Sequence, residues 1–300
     1  MALSRKHILW LSTTLAAVAL GCIAYGYFVE PNRLIVVEDT IAIKGLDPAF
    51  DGLRVVMIAD MHAGSNSIDE AKLRRIVELT NQQSPDLVVM LGDYISERTK
   101  RDERGKRILR MPPETIAANL KGINAAYGVF MVMGNHDGWH GTADIAAAFR
   151  GVGYRVLEHE VATIERNGRP LRIFGMKDHQ SLPDPWTKTS ADAKRVVEAS
   201  GTGDLIVLQH SPDMLGVITG ELSISSELRL ILPAHNHGGQ VRFPLIGAPI
   251  VPSNYGQKYL RGHILENNVD MYVTSGIGTS ILPFRFMVPP EIVVLTLRVG

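Results

Sequence analysis

Short apolar runs alternate with amphipathic stretches along most of the chain, and this alternation predicts strands separated by helices. The runs long enough for buried strands are 34–43, 53–59, 86–91, 128–133, 204–209, 228–233, 270–274 and 292–298. Helices are predicted at 68–79, 113–123, 142–150 and 190–199. Shorter strands are predicted at 154–157, 161–166 and 170–175, the last two joined by the hairpin turn Asn167-Gly168. This order predicts an α/β fold with buried, mostly parallel sheets.

The N-terminal segment differs from the rest of the chain. Residues 8–28 carry no charge, and about 20 apolar residues are enough to span a bilayer. Arg5 and Lys6 precede this run, which predicts an uncleaved single-pass anchor with the rest of the chain on the extracytoplasmic side. The alternative is a cleaved secretory signal, with Ala17-Val18-Ala19 as the cleavage site. The predicted division is therefore a stub, anchor and linker at 1–33 and one catalytic domain at 34–300.

The composition limits the partners and the metal ligands that the chain can have. The 300 residues have a net charge of zero, so no global basic field indicates a nucleic-acid partner. The single cysteine, Cys22, lies outside the predicted globular part, which excludes a disulfide and a thiolate metal site there. Any metal must then be held by nitrogen and oxygen ligands.

One segment of this neutral chain is strongly basic. Residues 98–110 contain two acids, Asp102 and Glu103, among seven basic residues. The segment is either an ordinary solvated surface or a patch that attracts phosphates or anionic headgroups beside a membrane. Its basic residues are Arg98, Lys100, Arg101, Arg104, Lys106, Arg107 and Arg110.

Metal-competent side chains follow five of the predicted strands, at the point where each strand ends. In an open α/β sheet, ligands bind beyond the carboxyl ends of the strands, so these side chains are expected to converge. Seven ligands are too many for one tetrahedral ion and suit two divalent ions that share a carboxylate, for which Asp93 is the natural bridge. The seven are Asp60, His62, Asp93, Asn135, His210, His235 and His237.

The motifs Asp-x-His, Gly-Asp, Gly-Asn-His-Asp, a single His and His-x-His occur here in that order. Together they resemble the calcineurin-like metallophosphoesterase superfamily, from about residue 52 to the C-terminus. The N-terminal anchor, "HNHGGQVRFP" at 235–244 and the closing segment 275–297 are similar to its bacterial membrane-associated branch. The usual Gly-His-Thr-His is replaced by Ala234-His235-Asn236-His237, which keeps both histidines.

The resemblance implies a four-layer α/β/β/α sandwich of two mixed sheets with the metals at the sheet edges. It implies two divalent ions, of Mn, Fe, Zn, Co or Ni, held by the seven residues named above. Asp60, His62 and His237 would hold the first ion, and Asp93 would bridge to the second. The remaining ligands of the second ion would be Asn135, His210 and His235.

The resemblance also implies the reaction. His136 would stabilise the phosphoryl oxygens and protonate the leaving alkoxide, and Asp137 would orient His136. We therefore expect a membrane-anchored phosphoesterase that hydrolyses phosphodiester or lipid-linked pyrophosphate bonds by metal-activated water, with a phosphate-ester or phospholipid-type substrate. The alternative is a catalytically silent interaction scaffold of the same fold.

Overall fold

The computed structural model describes residues 4–103, 105–182, 187–220 and 223–300, so Arg104 of the basic segment lies outside the described residues. Its helices are α1 (Arg5–Ala24), α2 (Glu70–Gln82), α3 (Pro113–Leu120), α4 (Asn135–His140), α5 (Thr142–Gly151), α6 (Thr187–Ala199) and α7 (Leu215–Thr219). Its strands are β1 (Ile35–Ile43), β2 (Arg54–Ile58), β3 (Leu87–Met90), β4 (Glu97–Arg101), β5 (Arg107–Leu109), β6 (Val129–Met131), β7 (Arg155–Val156), β8 (Glu160–Arg166), β9 (Arg169–Gly175), β10 (Asp204–Leu208), β11 (Leu228–Leu232), β12 (Gly262–Glu266), β13 (Val269–Val273) and β14 (Glu291–Val299).

Two six-stranded mixed sheets form the body of the protein. The first has the order β1-β14-β2-β3-β6-β7, and the second has the order β12-β13-β11-β10-β9-β8. In the first sheet only the β14–β2 pair is antiparallel, so β2, β3 and β6 end at the same edge. In the second sheet β9, β10, β11 and β13 are parallel. The predicted mostly parallel arrangement is therefore confirmed.

Alternating side chains of the strands divide the core into three layers of apolar packing. Val55, Met57 and Val89 of the first sheet face Ile206 and Leu230 of the second, which joins the sheets face to face. The opposite face of the first sheet packs on α2, α3 and α5, and the opposite face of the second packs on α6 and α7. Strands with both faces buried read as continuous apolar runs, which is why the sequence predicted them. The predicted α/β/β/α fold is confirmed.

The sequence did not predict the short helices α4 and α7 or three of the strands. Strands β4 and β5 form a hairpin within the basic segment, and β12 lies at an edge of the second sheet. All three strands have alternating or largely exposed side chains, so they lack the apolar runs that reveal a buried strand.

Helix α1 projects from this body, since none of its residues is buried. The helical segment Arg5–Asn32, which includes α1, contains an 18-residue stretch with a mean hydropathy of 1.8 and is long and apolar enough to cross a membrane. It continues through a π-helical turn, Tyr25–Val29, and a 3-10 turn, Glu30–Asn32, which lead into β1.

Candidate metal centre

The seven predicted ligands converge at the joined edges of the two sheets. Each follows the carboxyl end of a parallel strand, β2, β3 or β6 in the first sheet and β10 or β11 in the second. All seven side chains are buried and lie in one contiguous polar cluster at the end of the apolar core. The residues are Asp60, His62, Asp93, Asn135, His210, His235 and His237.

Asp60, His62 and His237 form the first group of candidate ligands. The two imidazole Nε2 atoms lie 3.2 Å apart, and Nε2 of His237 lies 3.9 Å from Oδ1 of Asp60. This Oδ1 atom is fully buried and has no hydrogen-bond partner among the described residues. A buried carboxylate oxygen without a donor is costly, and a bound cation would satisfy it.

Asn135, His210 and His235 form the second group. Nε2 of His210 lies 3.0 Å from Oδ1 of Asn135 and 3.1 Å from Nδ1 of His235. Asp93 stands between the two groups, with its Oδ2 atom 3.5 Å from Nε2 of His62 and 3.3 Å from Nε2 of His210. One carboxylate oxygen therefore faces both groups.

The tautomers of two histidines fit metal binding. Nδ1 of His62 lies 3.2 Å from the Ile95 carbonyl oxygen, and Nδ1 of His210 lies 2.7 Å from that of Leu91. A carbonyl accepts only, so each Nδ1 carries the hydrogen and each neutral ring leaves a lone pair on Nε2. Ligand atoms bonded at about 2.0–2.1 Å to one ion lie roughly 3 Å apart, as these atoms do. The residues present therefore fit two nitrogen- and oxygen-bound divalent cations.

The electrostatics of the cluster follow from its burial. Burial lowers the pKa of His62 to about 4 and that of His235 to about 3, so both rings are neutral at pH 7. Burial raises the pKa of Asp60 to about 7. In His210 burial lowers the pKa, but the charge and hydrogen bond of Asp93, together with the charges of Asp60 and Asp178, hold this pKa well above its usual value. Asp93 therefore stabilises His210 as an imidazolium, which has to lose its Nε2 proton before this nitrogen can ligate a cation.

Five of the seven candidate ligands have a left-handed backbone. Positive φ is uncommon in residues other than glycine and costs roughly 1 kcal/mol or more each. Such strain persists where the surrounding structure fixes it, and it is concentrated at functional sites. The φ angles are 50° at Asp60, 44° at His62, 56° at Asp93, 69° at His235 and 48° at His237.

Glycines allow the ligand loops to approach one another. A Cβ on Gly134 would lie 2.2 Å from Oδ1 of Asp93, and one on Gly92 would lie 2.5 Å from the Gly134 nitrogen. Gly238 and Gly239 make the tight turn after His237, with φ angles of 59° and 80°. Side chains at these positions would displace the ligand loops.

His136 and Asp137 begin α4 but have different surroundings. The backbone N–H of His136 donates to Oδ1 of Asp93 at 2.9 Å, and its ring lies 4.9 Å from the His62 ring. The Asp137 carboxylate accepts hydrogen bonds from four N–H groups at 2.8–3.4 Å, those of Asp93, Tyr94, Ile95 and Gly134. No described contact joins this carboxylate to the His136 ring, so orientation of that ring by Asp137 stays a prediction. Because four N–H donors surround it, Asp137 ties the Asp93 loop to the start of α4.

Sequence reasoning missed two residues beside the cluster. Arg285 is fully buried, donates to the carbonyl oxygens of Gly278 and Ser275, and places Nη2 3.4 Å from Nδ1 of His237. Gln180 lies 3.3 Å from Nε2 of His235. The only sequence signal for Arg285 is its isolation within the apolar segment "LPFRFMVPP" at 282–290.

A cavity of about 670 Å³ opens beside the candidate metal centre. Its lining includes His62 and His136, together with Arg107 and Arg110 of the basic segment. Tyr27, from the turn that follows α1, also lines it. The basic segment thus reaches the cavity through two of its arginines.

The mixed-sheet sandwich and the paired ligand groups define a metal-dependent phosphoesterase. The family model of the calcineurin-like phosphoesterases matches residues 53–239, and the chain belongs to this family. It is 29% identical to an uncharacterized metallophosphoesterase, YkuE, of Bacillus subtilis, covering 98% of this chain and 97% of that one. It is 25% identical to the phosphodiesterase YaeI of Escherichia coli, covering 98% and 99%. A transmembrane protein with metallophosphoesterase domain from Danio rerio is 26% identical over 95% of this chain and 62% of its own length.

Proposed function

We propose that the chain is a membrane-anchored binuclear-metal phosphoesterase that hydrolyses phosphodiester or lipid-linked pyrophosphate bonds. The observation that carries the proposal is the position of Asp93, whose Oδ2 atom lies within 3.5 Å of ligand nitrogens from both groups. A shared carboxylate of this kind is what a two-metal hydrolytic site requires.

The proposed ligands follow the two groups. The first ion would be held by Asp60, His62 and His237, and Asp93 would be shared between the two ions. The other ligands of the second ion would be Asn135, His210 and His235. When bound, the two cations supply Lewis-acid stabilisation of the phosphoryl oxygens and acidify a water molecule.

His136 is proposed to act on the substrate. Its ring is only partly buried and lines the cavity next to His62, where it can reach a phosphoryl oxygen or the leaving oxygen. We propose that it donates a hydrogen bond to the phosphoryl group and a proton to the leaving alkoxide. The hydrogen bond from its N–H to Asp93 fixes its position relative to the shared carboxylate.

Arg107 and Arg110 are proposed to bind the anionic part of the substrate. Both side chains are exposed to the cavity, and a guanidinium can bind phosphate oxygens in a bidentate manner. The cavity is large enough for a phosphodiester group with part of its substituents. A substrate that carries a second negative charge near the scissile bond suits this wall.

The proposed organisation places the anchor at residues 1–33 and the catalytic domain at 34–300. The apolar, unburied helix α1 supports a single membrane span, and a relative that is named a transmembrane protein agrees with it. With Arg5 and Lys6 at the cytoplasmic end, the catalytic domain lies on the extracytoplasmic side.

Metal analysis and phosphodiester turnover of the full chain in detergent micelles test the proposal. We expect about two divalent ions per chain, and loss of turnover of bis(p-nitrophenyl) phosphate by about a hundredfold or more in Asp93→Asn. Asp270→Asn is the matched control, because Asp270 is a buried carboxylate that pairs with His263 in the second sheet. A folded chain that binds no metal and has no turnover would instead identify an interaction scaffold.

A further inference from the structure

The end of the anchor helix is built into the body of the protein. The N–H of Arg285 donates to the Gly26 carbonyl at 3.0 Å, and the N–H of Met287 donates to the Glu30 carboxylate at 2.9 Å. The Asn66 amide donates to the carbonyl oxygens of Tyr27 and Pro283 at 2.8 and 2.6 Å. These contacts fix the helix end on the loop at 281–287, so the loop has a defined height relative to the membrane span.

A second loop joins this region through aromatic packing. The ring of Phe286 lies 6.3 Å from that of Tyr25 in the helix end and 5.9 Å from that of Phe243. The N–H of Arg242 also donates to the Phe286 carbonyl at 2.9 Å. The loop at 243–250 is therefore held beside the same end of the helix.

Large apolar side chains point outward from both loops and from the helix end. Leu245 is fully exposed and Ile281 is 94% exposed. We call these residues the apolar rim. It consists of Phe28, Phe243, Leu245, Ile246, Ile281 and Met287, each of them exposed.

The backbone of the rim is unusual as well. Leu245, Ile281 and Met287 have φ angles of 70°, 62° and 58°. A positive φ is unfavourable for a branched or bulky side chain, and exposure of the same side chain to water adds a second unfavourable term. Neither local conformation nor packing within the chain accounts for apolar residues at these three positions. An apolar environment outside the chain would account for them.

We propose that the apolar rim lies in the interfacial zone of the lipid bilayer that holds α1, which places the cavity opening at the membrane surface. This inference rests on the proposed membrane attachment. The rim lies beside the turn that follows α1, where Tyr25, Tyr27 and Phe28 have the positions expected of an interfacial aromatic belt. Loops at this level enter the headgroup region with their apolar side chains.

The rim is continuous with the catalytic cavity. Tyr27 and Ile281 line the cavity that also contains His62 and His136. With the rim in the interface, the phosphate of a bilayer lipid lies at the height of the cavity opening, and its acyl chains can remain among the rim side chains. The substrate class that this geometry admits is an amphiphilic phosphate ester that enters from the membrane plane.

Site-specific labelling of the full chain tests the position of the rim. Cys22 is the only cysteine, so Cys22→Ser gives a background into which Leu245→Cys introduces one site for an environment-sensitive fluorophore. Leu265→Cys is the matched control, because Leu265 is also an exposed leucine but lies on β12. Each labelled protein is reconstituted in vesicles of equimolar phosphatidylcholine and phosphatidylglycerol, with or without bromine on the acyl chains.

We expect brominated lipid to remove about half or more of the emission of the Leu245 label and little of that of the Leu265 label. Ile246→Cys is a second rim variant that should behave like Leu245→Cys. Equal, weak quenching of the labels at positions 245 and 265 would overturn the proposal. A rim label whose emission is blue-shifted but not quenched would also overturn it, because that result would indicate that another copy of the chain covers the rim. A chain that does not float with the vesicles would refute the membrane attachment itself, whereas loss of turnover alone would concern only the catalytic proposal.

Discussion

Replacement of Asp137 tests how the ligand loops are held together. Each oxygen of its carboxylate accepts from two buried N–H groups, Oδ2 from Asp93 and Gly134 and Oδ1 from Tyr94 and Ile95. Asp137→Ala leaves four donors without an acceptor, whereas Asp137→Asn keeps an oxygen that can serve the two donors on one side. The two variants therefore remove different numbers of hydrogen bonds from the same position.

The expected magnitudes follow from this count. At about 1–1.5 kcal/mol for each buried donor left unpaired, the four donors of the alanine variant correspond to a loss of about 4–6 kcal/mol of unfolding free energy. The asparagine variant is expected to lose about 2–3 kcal/mol, since two donors lose their acceptor. At about 2–4 °C per kcal/mol, the melting temperature falls by about 10–20 °C for alanine and about 5–10 °C for asparagine.

Thermal unfolding of the full chain in detergent, followed by tryptophan fluorescence, measures these shifts. Burial and the charge of Asp93 raise the pKa of Asp137 to about 7, so pH 8 with excess Mn²⁺ keeps the carboxylate ionised and Asp93 neutralised. If Asp137→Ala melts within about 2 °C of the unmodified chain but turnover falls as far as in His136→Ala, the loop-holding role is refuted. The expected orientation of His136 would then account for both results.

Three further outcomes are expected from the contacts described above. Gly134→Ala should abolish metal binding, measured by elemental analysis, because its Cβ would lie 2.2 Å from Oδ1 of Asp93, whereas Gly151→Ala has open space and should bind metal normally. Arg285→Met should lower the melting temperature by about 6 °C or more, since buried carbonyl oxygens lose their donor; an unchanged melting temperature would contradict this. His136→Ala should reduce turnover of esters with poor leaving groups about tenfold more than that of p-nitrophenyl esters, and an equal loss for both would argue against proton donation.

The strands and the ends of the strands were accessible from the sequence because both have local signals. A strand that is buried on both faces gives a continuous apolar run, and the first polar residue after it marks the sheet edge. The placement of Asp60 and Asp93 after β2 and β3 follows from that pattern alone. Parallel pairing then brings separate segments to one edge, so convergence of the candidate ligands was predictable without knowing the register.

The supporting contacts were not accessible, because they join residues far apart in sequence. Arg285 reaches His237 across 48 positions, and Asp137 reaches the N–H of Asp93 across 44. No local feature of the sequence shows whether Asp137 holds the Asp93 loop or orients His136. The β4–β5 hairpin was missed for a different reason. Its side chains are largely exposed and many are charged, so its sequence does not alternate between apolar and polar residues as a half-buried strand does.

The left-handed backbone at five candidate ligands has a consequence for attempts to make this protein more robust. Glycine adopts positive φ without steric penalty, so Asp60→Gly or His237→Gly would relieve roughly 1 kcal/mol of local strain in the metal-free fold, while the entropy of the unfolded chain offsets about 0.5–1 kcal/mol of that gain. A selection for heat resistance of the metal-free chain alone would therefore do little to retain the proposed metal ligands. Directed evolution of this fold has to screen for turnover in parallel, because stability and turnover place different demands on these positions.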